Sequence, residues 1–211
     1  MKDFWNTRYK AREFAYGKSP NLFFKETIDR LNLTGTILLP AEGEGRNAVY
    51  AAKKGQNVLA FDLSVEGKNK ALELAHSENV QIDYRIGELN QLNLEKDSFD
   101  AIALISAHFP ANEKEELHKK LAELVKPNGY VILEGFSVNN HVLREKNPEV
   151  GGPANIDMLF TKEEIKNLFK DFEIIELKEI EVELNEGLFH KGVASVIRFI
   201  GKKSALYNTL D

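Results

Sequence analysis

Short strand-like runs and longer helical segments alternate along the chain, and this alternation constrains the fold more than any other feature of the sequence. The short runs, rich in β-forming residues, occupy residues 36–39, 57–61, 81–86, 99–105 and 130–136. Between them, residues 47–54, 64–77 and 112–125 place apolar side chains three or four positions apart, which is the spacing of one face of a helix. Strands that alternate with helices predict a parallel sheet with helices on both faces, and right-handed crossovers make it doubly wound.

The remaining segments predict a hairpin, a helix and a long loop. Residues 173–184 and 193–200 are β-like and are joined through an Asn-Glu-Gly turn signal, which predicts an antiparallel hairpin at the sheet edge. A capping-box-like start at residues 161–164 predicts a helix that ends near Asp171. Residues 137–158 have no clear period, so we predict a long loop, a feature that is often functional.

Composition bounds the class of protein. The chain has 211 residues, 43% of them hydrophobic, and we expect a single domain with one core. It contains no cysteine, which excludes disulfides, thiolate metal sites and cysteine nucleophiles and fits a reducing compartment. The formal net charge of −5 disfavours a polyanionic partner, so we expect a small-molecule ligand and no nucleic acid.

We expect a cytoplasmic protein without a metal site. Residues 1–6 contain no apolar signal region, and no apolar run approaches the roughly 20 residues that span a bilayer. No His-Glu-x-x-His or comparable cluster is present in the sequence. Of the five histidines, His76, His118 and His141 are expected to lie at the surface or to pack structurally.

The segment from Ala41 to Asn47 is the candidate ligand site. It follows the first predicted strand and runs into the next helix, with glycines at alternate positions, Gly43 and Gly45. Such glycines let a ligand approach the backbone, and the free N–H groups of a helix N-terminus point toward it. Asp62, at the end of the second strand, is placed to accept hydrogen bonds from a ribose diol. The alternative is that the glycines only form a tight turn.

The glycines do not decide the type of ligand. Residues 43–48 match the dinucleotide pattern G-x-G-x-x-A, which keeps a small NAD-binding oxidoreductase open. Glu42 and Glu44 would repel a pyrophosphate but suit a ligand end that carries an ammonium and a sulfonium, as in S-adenosylmethionine (SAM). Glu88, just after the third strand, can accept a hydrogen bond from an adenine amine, although an isolated acid there is more simply an exposed carboxylate.

Together these features resemble the class I SAM-dependent methyltransferases. The resemblance rests on residues 41–47, Asp62, residues 87–89 and residues 99–105. Outside this core the chain is similar to the tellurite-resistance methyltransferase group, and this similarity covers nearly the whole chain. The motifs that carry it are Trp5, Arg8-Tyr9, Tyr16-Gly17, Pro20-Asn21, residues 107–110, 133–136 and 151–153, Glu186-Gly187 and residues 190–194.

The resemblance implies an α/β, Rossmann-like, doubly wound sheet of seven strands, mostly parallel with an antiparallel last strand. It implies one methyltransferase domain over residues 1–211, with an N-terminal helical cap segment (1–35), a cofactor-binding core (36–136) and a substrate-side loop, helix and C-terminal hairpin (137–211). The residues that it implies for binding SAM are Tyr16, Ala41, Glu42, Gly43, Glu44, Gly45, Asn47, Asp62, Leu63, Gly87, Glu88, Leu89, Ile105 and Ser106.

Two residues depart from the pattern of the family. Most class I enzymes carry an acid near the end of the first strand, where this chain has Leu39. They also carry a glycine where this chain has Ala41. Our hypothesis is that Glu42 or Glu44 supplies the carboxylate that meets the ammonium of SAM.

We therefore predict an enzyme that transfers a methyl group from SAM to a small-molecule acceptor, a chalcogen oxyanion or a thiol, by in-line displacement. A general base is needed only if the acceptor is protonated at working pH. His108, after the fourth strand, and His190, in the hairpin, are the candidates for this catalytic role. A nonenzymatic binder of SAM or S-adenosylhomocysteine and a small NAD-binding oxidoreductase remain as alternatives.

Overall fold

A single seven-stranded sheet runs through the computed structural model, which describes residues 1–205. Residues 206–211, the end of the predicted C-terminal segment 137–211, lie outside the described residues. The strands are β1 (Thr36–Pro40), β2 (Asn57–Asp62), β3 (Asp83–Ile86), β4 (Phe99–Ile105), β5 (Val125–Phe136), β6 (Phe172–Glu186) and β7 (His190–Lys203). Their order is β3-β2-β1-β4-β5-β7-β6, and β7 is antiparallel to both of its neighbours while β1 to β5 pair in parallel. The predicted Rossmann-like fold with an antiparallel last strand is confirmed.

Helices cover both faces of this sheet. They are α1 (Lys2–Tyr9), α2 (Leu22–Leu31), α3 (Arg46–Lys53), α4 (Val65–Ser77), α5 (Lys114–Leu124), α6 (Asn140–Lys146) and α7 (Lys162–Leu168). Leu121 of α5 and Ile165 of α7 belong to one buried apolar cluster, and Phe24 of α2 and Ala48 of α3 belong to another. Burial of these apolar faces against the central strands is the main stabilising contribution to the fold.

Two local predictions need correction, and a third is sharpened. Residues 137–158, predicted as a loop, contain α6 and two short 3-10 turns, and seven helical residues are too few to show a period. Strand β5 begins at Val125 rather than at Tyr130, because Val125 already pairs with Phe99 of β4. Residues 126–129 then form an irregularity, with Asn128 at φ 65°, and regular pairing resumes at Tyr130. For His118 the prediction allowed either the surface or structural packing, and the structure shows packing: the side chain is fully buried among aromatic rings.

The topology determines where a ligand can bind. Strand β1 lies between β2 and β4, so the chain turns to opposite sides of the sheet after β1 and after β4. In open α/β sheets, ligands bind at such a switch point, outside the carboxyl ends of the strands. The loop from Ala41 to Gly45 and the residues after β4 lie at this edge. Within residues 1–205, no helix is long and apolar enough to cross a membrane.

Candidate active site

The loop between β1 and α3 turns sharply through two glycines with positive φ. Gly43 has φ 63° and Gly45, the N-cap of α3, has φ 84°. A Cβ on Gly45 would lie 2.5 Å from the Cβ of Ala71 in α4, and a Cβ on Gly43 would lie 2.6 Å from the hydroxyl oxygen of Tyr9. The close approach expected at these glycines is therefore made here by α4 and by the side chain of Tyr9. Ala41, also at positive φ (52°), is exposed at the start of the loop.

The two glutamates of the loop have different partners. Glu42 is buried, and one carboxylate oxygen accepts the backbone N–H groups of Asn47 and Ala48, both at 2.8 Å. Glu44 forms an ion pair with Lys70 at 2.7 Å and accepts the N–H of Ala15 at 2.7 Å. Glu42 thus stabilises the N-terminus of α3, where a carboxylate is favoured by the helix dipole, and Glu44 ties the N-terminal segment to the loop.

Burial sets the protonation of Glu42. It raises the pKa of Glu42 to about 7, although the hydrogen bonds from Ala48 and Asn47 and the charge of Arg46 lower it. No basic side chain forms an ion pair with Glu42 within residues 1–205. Glu42 is therefore a loop carboxylate whose charge a bound cation could stabilise.

Asp62 lies at the end of β2, next to the loop. Its carboxylate accepts the backbone N–H of Gly43 at 3.1 Å and that of Ser64 at 2.9 Å. Burial raises the pKa of Asp62, and these backbone hydrogen bonds oppose the increase. A carboxylate has about four lone-pair sites, more than these backbone groups use, so Asp62 can still accept from a hydroxyl group of a ligand.

A cavity of about 460 Å³ adjoins the ends of β2 and β3. Leu63, Gly87 and Glu88, three of the predicted cofactor residues, line it together with Gln91. Glu88 and Gln91 form a capping box around the short 3-10 turn that follows β3. Leu89, predicted beside them, is buried in the hydrophobic core instead, because it begins that turn facing the sheet.

The end of β4 lies on the opposite side of the loop. Ile105 is buried in the cluster that includes α2 and α3. Ser106 follows with φ 53°, and its N–H donates to the carbonyl oxygen of Glu134 at 2.7 Å. This bond holds the chain after β4 against the end of β5.

His190 lies in a cluster of polar and aromatic side chains at the start of β7. Its Nδ1 is 3.1 Å from a carboxylate oxygen of Glu186, and its ring centroid is 4.4 Å from that of Tyr16 and 5.3 Å from that of Phe136. The same oxygen of Glu186 accepts a hydrogen bond from Arg46 at 2.9 Å. Glu186 therefore joins His190 to the first residue of α3.

The pKa values of Glu186 and His190 determine which of the two side chains is charged. Burial acts to raise the pKa of Glu186, but the hydrogen bond to His190 and the positive charge of Arg46 outweigh it and bring the pKa to about 2. Burial lowers the pKa of His190, against the effect of Glu186. At neutral pH the cluster therefore holds an ionised Glu186 beside a neutral imidazole whose Nδ1–H it accepts, which leaves Nε2 as the basic nitrogen.

His108 has a different environment. Its Nδ1 lies 2.9 Å from the carbonyl oxygen of Met158, and its Nε2 accepts the N–H of Phe136 at 3.2 Å. Burial lowers its pKa to about 4. Both nitrogens are used by the backbone, so this geometry does not support His108 as a general base, and we retain His190 alone.

Asn21 connects the parts of the site and was not among the predicted site residues. Its Oδ1 caps α2 at the N–H of Phe24, and its Nδ2 donates to Glu134 at 2.7 Å and to Glu186 at 3.2 Å. Its backbone N–H donates to the side chain of Asn47 at 2.9 Å. Asn21, Arg46, Glu134 and Glu186 all belong to motifs noted in the sequence, but their mutual contacts depend on the tertiary fold.

Comparison with known proteins shows which family this chain is similar to. A family model described as a methyltransferase domain matches residues 37–129. A protein of Haemophilus influenzae named as a probable S-adenosyl-L-methionine-dependent methyltransferase, TehB, is 23% identical over 150 residues, which are 71% of this chain and 48% of that protein. The chain thus spans about half the length of this relative.

Two further similarities, one in sequence and one in structure, agree with the match to a methyltransferase domain. An uncharacterized methyltransferase of Schizosaccharomyces pombe is 30% identical over 97 residues, which are 45% of this chain and 67% of that protein. The crystal structure of TehB from Haemophilus influenzae superimposes with a TM-score of 0.69 at 19% identity, over 96% of this chain and 67% of that one. The structural match supports the fold.

The packing of His190 against Gly151 gives a prediction. Gly151 has φ 85°, and a Cβ there would lie 2.6 Å from Cδ2 of His190 and 2.8 Å from the carbonyl oxygen of Phe189. Gly55 has φ 84° and no atom within 4 Å of its Cβ position, so Gly55→Ala measures the backbone strain alone. We expect Gly55→Ala to cost about 1 kcal/mol of unfolding free energy and Gly151→Ala to cost a further ~1–3 kcal/mol for the steric clash. Urea unfolding tests this, and equal losses in the two variants would show that Gly151 does not hold the imidazole in place.

Proposed function

The chain belongs to the class I SAM-dependent methyltransferases, and we propose that it methylates a chalcogen atom of a small-molecule acceptor, a thiol first and a chalcogen oxyanion second. Membership of this family supports an enzyme with SAM as its methyl donor over the two alternatives, an NAD-binding oxidoreductase and a nonenzymatic binder. The observation that carries the proposed acceptor is the neutral His190 held by Glu186. A positioned base is useful for an acceptor that carries a proton at neutral pH, as a thiol does.

We assign the cofactor's ribose to Asp62 and its adenine to the cavity lined by Leu63, Gly87 and Glu88. The remaining acceptor capacity of Asp62 and the residues that line the 460 Å³ cavity support this assignment. The loop from Ala41 to Gly45, with Asn47, Ile105, Ser106 and Tyr16, would surround the methionine part. When bound, SAM supplies a methyl group already activated on a sulfonium, so the task of the protein is to position the acceptor.

Of the two loop glutamates, we propose Glu42 as the partner of the cofactor's ammonium. Glu44 already has Lys70 at 2.7 Å, whereas the hydrogen bonds to Glu42 come from Asn47 and Ala48, which carry no charge. Glu42 would then replace the acid that most family members carry near Leu39.

His190 would take the proton of the acceptor. In this step the S–H proton would move to Nε2 while the acceptor sulfur forms its bond to the methyl carbon. The bond between that carbon and the sulfonium would break, S-adenosylhomocysteine would leave, and the imidazolium would later lose the proton to water. Glu186 would hold the imidazole in the required tautomer and stabilise its charged form. The ring of Tyr16 is tilted by 49° to the imidazole, with the two ring centroids 4.4 Å apart, and this contact restricts the orientation of His190.

The first test is the acceptor itself. We expect the enzyme to release S-adenosylhomocysteine with a thiol such as thiosalicylate more rapidly than with tellurite, selenite or a small amine.

His190→Gln should lower kcat for the thiol by about 100-fold near neutral pH, and the loss should shrink above the thiol's pKa of about 8.5 because the thiolate then forms unaided. His141→Gln, at a surface helix, is the matched control and should leave kcat unchanged. Turnover of an oxyanion alone, insensitive to His190→Gln, would contradict the thiol and the base together.

The second test is the pH dependence of SAM binding. Ammonium binding favours ionised Glu42, so below its pKa of about 7 the complex forms only after a proton is lost. We expect SAM affinity to rise roughly five- to tenfold from about pH 6 to pH 7.5. In Glu42→Gln the affinity should be weaker and the increase should disappear, whereas Glu44→Gln should keep it. Calorimetry in buffers of different ionisation enthalpy also measures the released proton, and an unchanged pH profile in Glu42→Gln would assign the titration to another group such as Asp62.

A further inference from the structure

A cavity of about 540 Å³ lies between residues 16–22 and the end of β6, and the roles proposed above do not use it. In the sheet, Glu134 of β5 lies directly opposite Arg198 of β7. On the other side of β7, Arg198 lies opposite Lys178 of β6. Side chains alternate along a strand, so Val182 and Leu184 point to the same face as Arg198. Glu134, Val182, Leu184 and Arg198 line the cavity from the sheet, and the exposed Lys18 lines it from residues 16–22.

Two basic side chains of this cavity, Arg198 and Lys18, keep hydrogen-bond donors that no residue of the described chain uses. Arg198 uses Nε to pair with Glu134, and its guanidinium carbon lies 4.9 Å from the ring centre of Phe23. Within the described part of the chain, its two terminal nitrogens donate to no residue. Lys18 likewise has no ion-pair partner among residues 1–205, where its ammonium lies over the ring of Phe14.

The acids around the cavity do not cancel this excess. Glu134 is paired with Arg198, and Glu186 is paired with Arg46. Glu183 also borders the cavity, but alternation along β6 directs its side chain to the other face of the sheet. Lys18 therefore offers a positive charge without an ion-pair partner, and Arg198 offers free guanidinium N–H groups. Groups of these two kinds bind a planar anion such as a carboxylate.

The size of the cavity indicates an organic ligand. At roughly 30 Å³ for each water, it has room for ~18 waters, far more than an oxyanion of a few atoms displaces. Val182 and Leu184, which line it from the sheet, are apolar. Two of its lining residues, Tyr16 and Glu186, also contact His190, so the cavity adjoins the cluster that holds the proposed base.

We infer that this cavity binds the carboxylate-bearing part of an organic acceptor, with Arg198 and Lys18 as the groups that recognise the carboxylate. The inference rests on the proposed function, because it identifies the cavity as the outer part of the acceptor site. It predicts that the enzyme prefers acidic thiols to their neutral esters.

The test compares thiosalicylate with its methyl ester. We expect Lys18→Gln to raise the KM ratio of acid to ester by about fivefold, and Glu134→Gln/Arg198→Gln to raise it by about tenfold or more, the range of one charge-assisted hydrogen bond. The double variant removes both members of the buried pair, so no unpaired charge is left to unfold the protein. Lys162→Gln, an exposed lysine on α7, is the control and should leave the ratio unchanged. An unchanged ratio in both cavity variants would overturn the inference.

Direct binding separates this inference from the proposed function. S-methylthiosalicylate cannot be methylated again at a thiolate, and calorimetry with the S-adenosylhomocysteine complex measures its affinity without turnover. Binding that weakens about tenfold in Glu134→Gln/Arg198→Gln supports the cavity even if no thiol is turned over. No binding to the wild-type protein, or equal binding to all variants, overturns it. Loss of SAM affinity in the same double variant would also overturn it, since the anion site would then belong to the cofactor.

Discussion

The buried ion pair between Arg46 and Glu186 is the interaction on which the rest of the site depends. Arg46 is the first residue of the helix that follows the cofactor loop, and Glu186 ends the strand that leads into the hairpin. Their side chains are 10% and 16% exposed, so either charge without the other would be strongly destabilising. The pair therefore holds the cofactor half of the molecule against the half that carries His190.

Asn21 extends this constraint to the N-terminal segment. It caps α2 and donates to two carboxylates, the buried Glu134 and the partly buried Glu186, so the segment that carries Tyr16 cannot shift without breaking those bonds. Arg46 also donates to the carbonyl oxygen of Tyr16 at 3.1 Å. Three stretches of chain that are distant in sequence thus meet in one polar network, which places the proposed base, the cofactor loop and the larger cavity side by side.

Local pattern was sufficient to predict most of the fold. Strand β4 has the predicted bounds because its apolar run is flanked by clear turn signals, whereas α6 was missed because two helical turns are too short to show a period. The hairpin was predicted from its turn residues, and its antiparallel pairing follows from that turn.

The site was less predictable, because its partners are distant in sequence. Asn21 is 113 positions from Glu134 and 165 from Glu186. Glu42 and Glu44 look equivalent in the sequence of the loop. In the structure, Glu42 accepts hydrogen bonds from the backbone of α3, whereas Glu44 forms an ion pair with Lys70. The assignment of Leu89 to the cofactor and of His108 to catalysis followed motifs, and neither motif reveals whether a side chain faces the core or is already hydrogen-bonded.

A double-mutant cycle on Arg46 and Glu186 tests the central claim, that this pair joins the two halves of the site. Unfolding free energies would be measured for Arg46→Met, Glu186→Gln and the double variant by urea denaturation. We predict that each single substitution costs about 3 kcal/mol and that the double costs much less than their sum, because it leaves no unpaired buried charge. Additive losses would contradict the account, since the two side chains would then act independently.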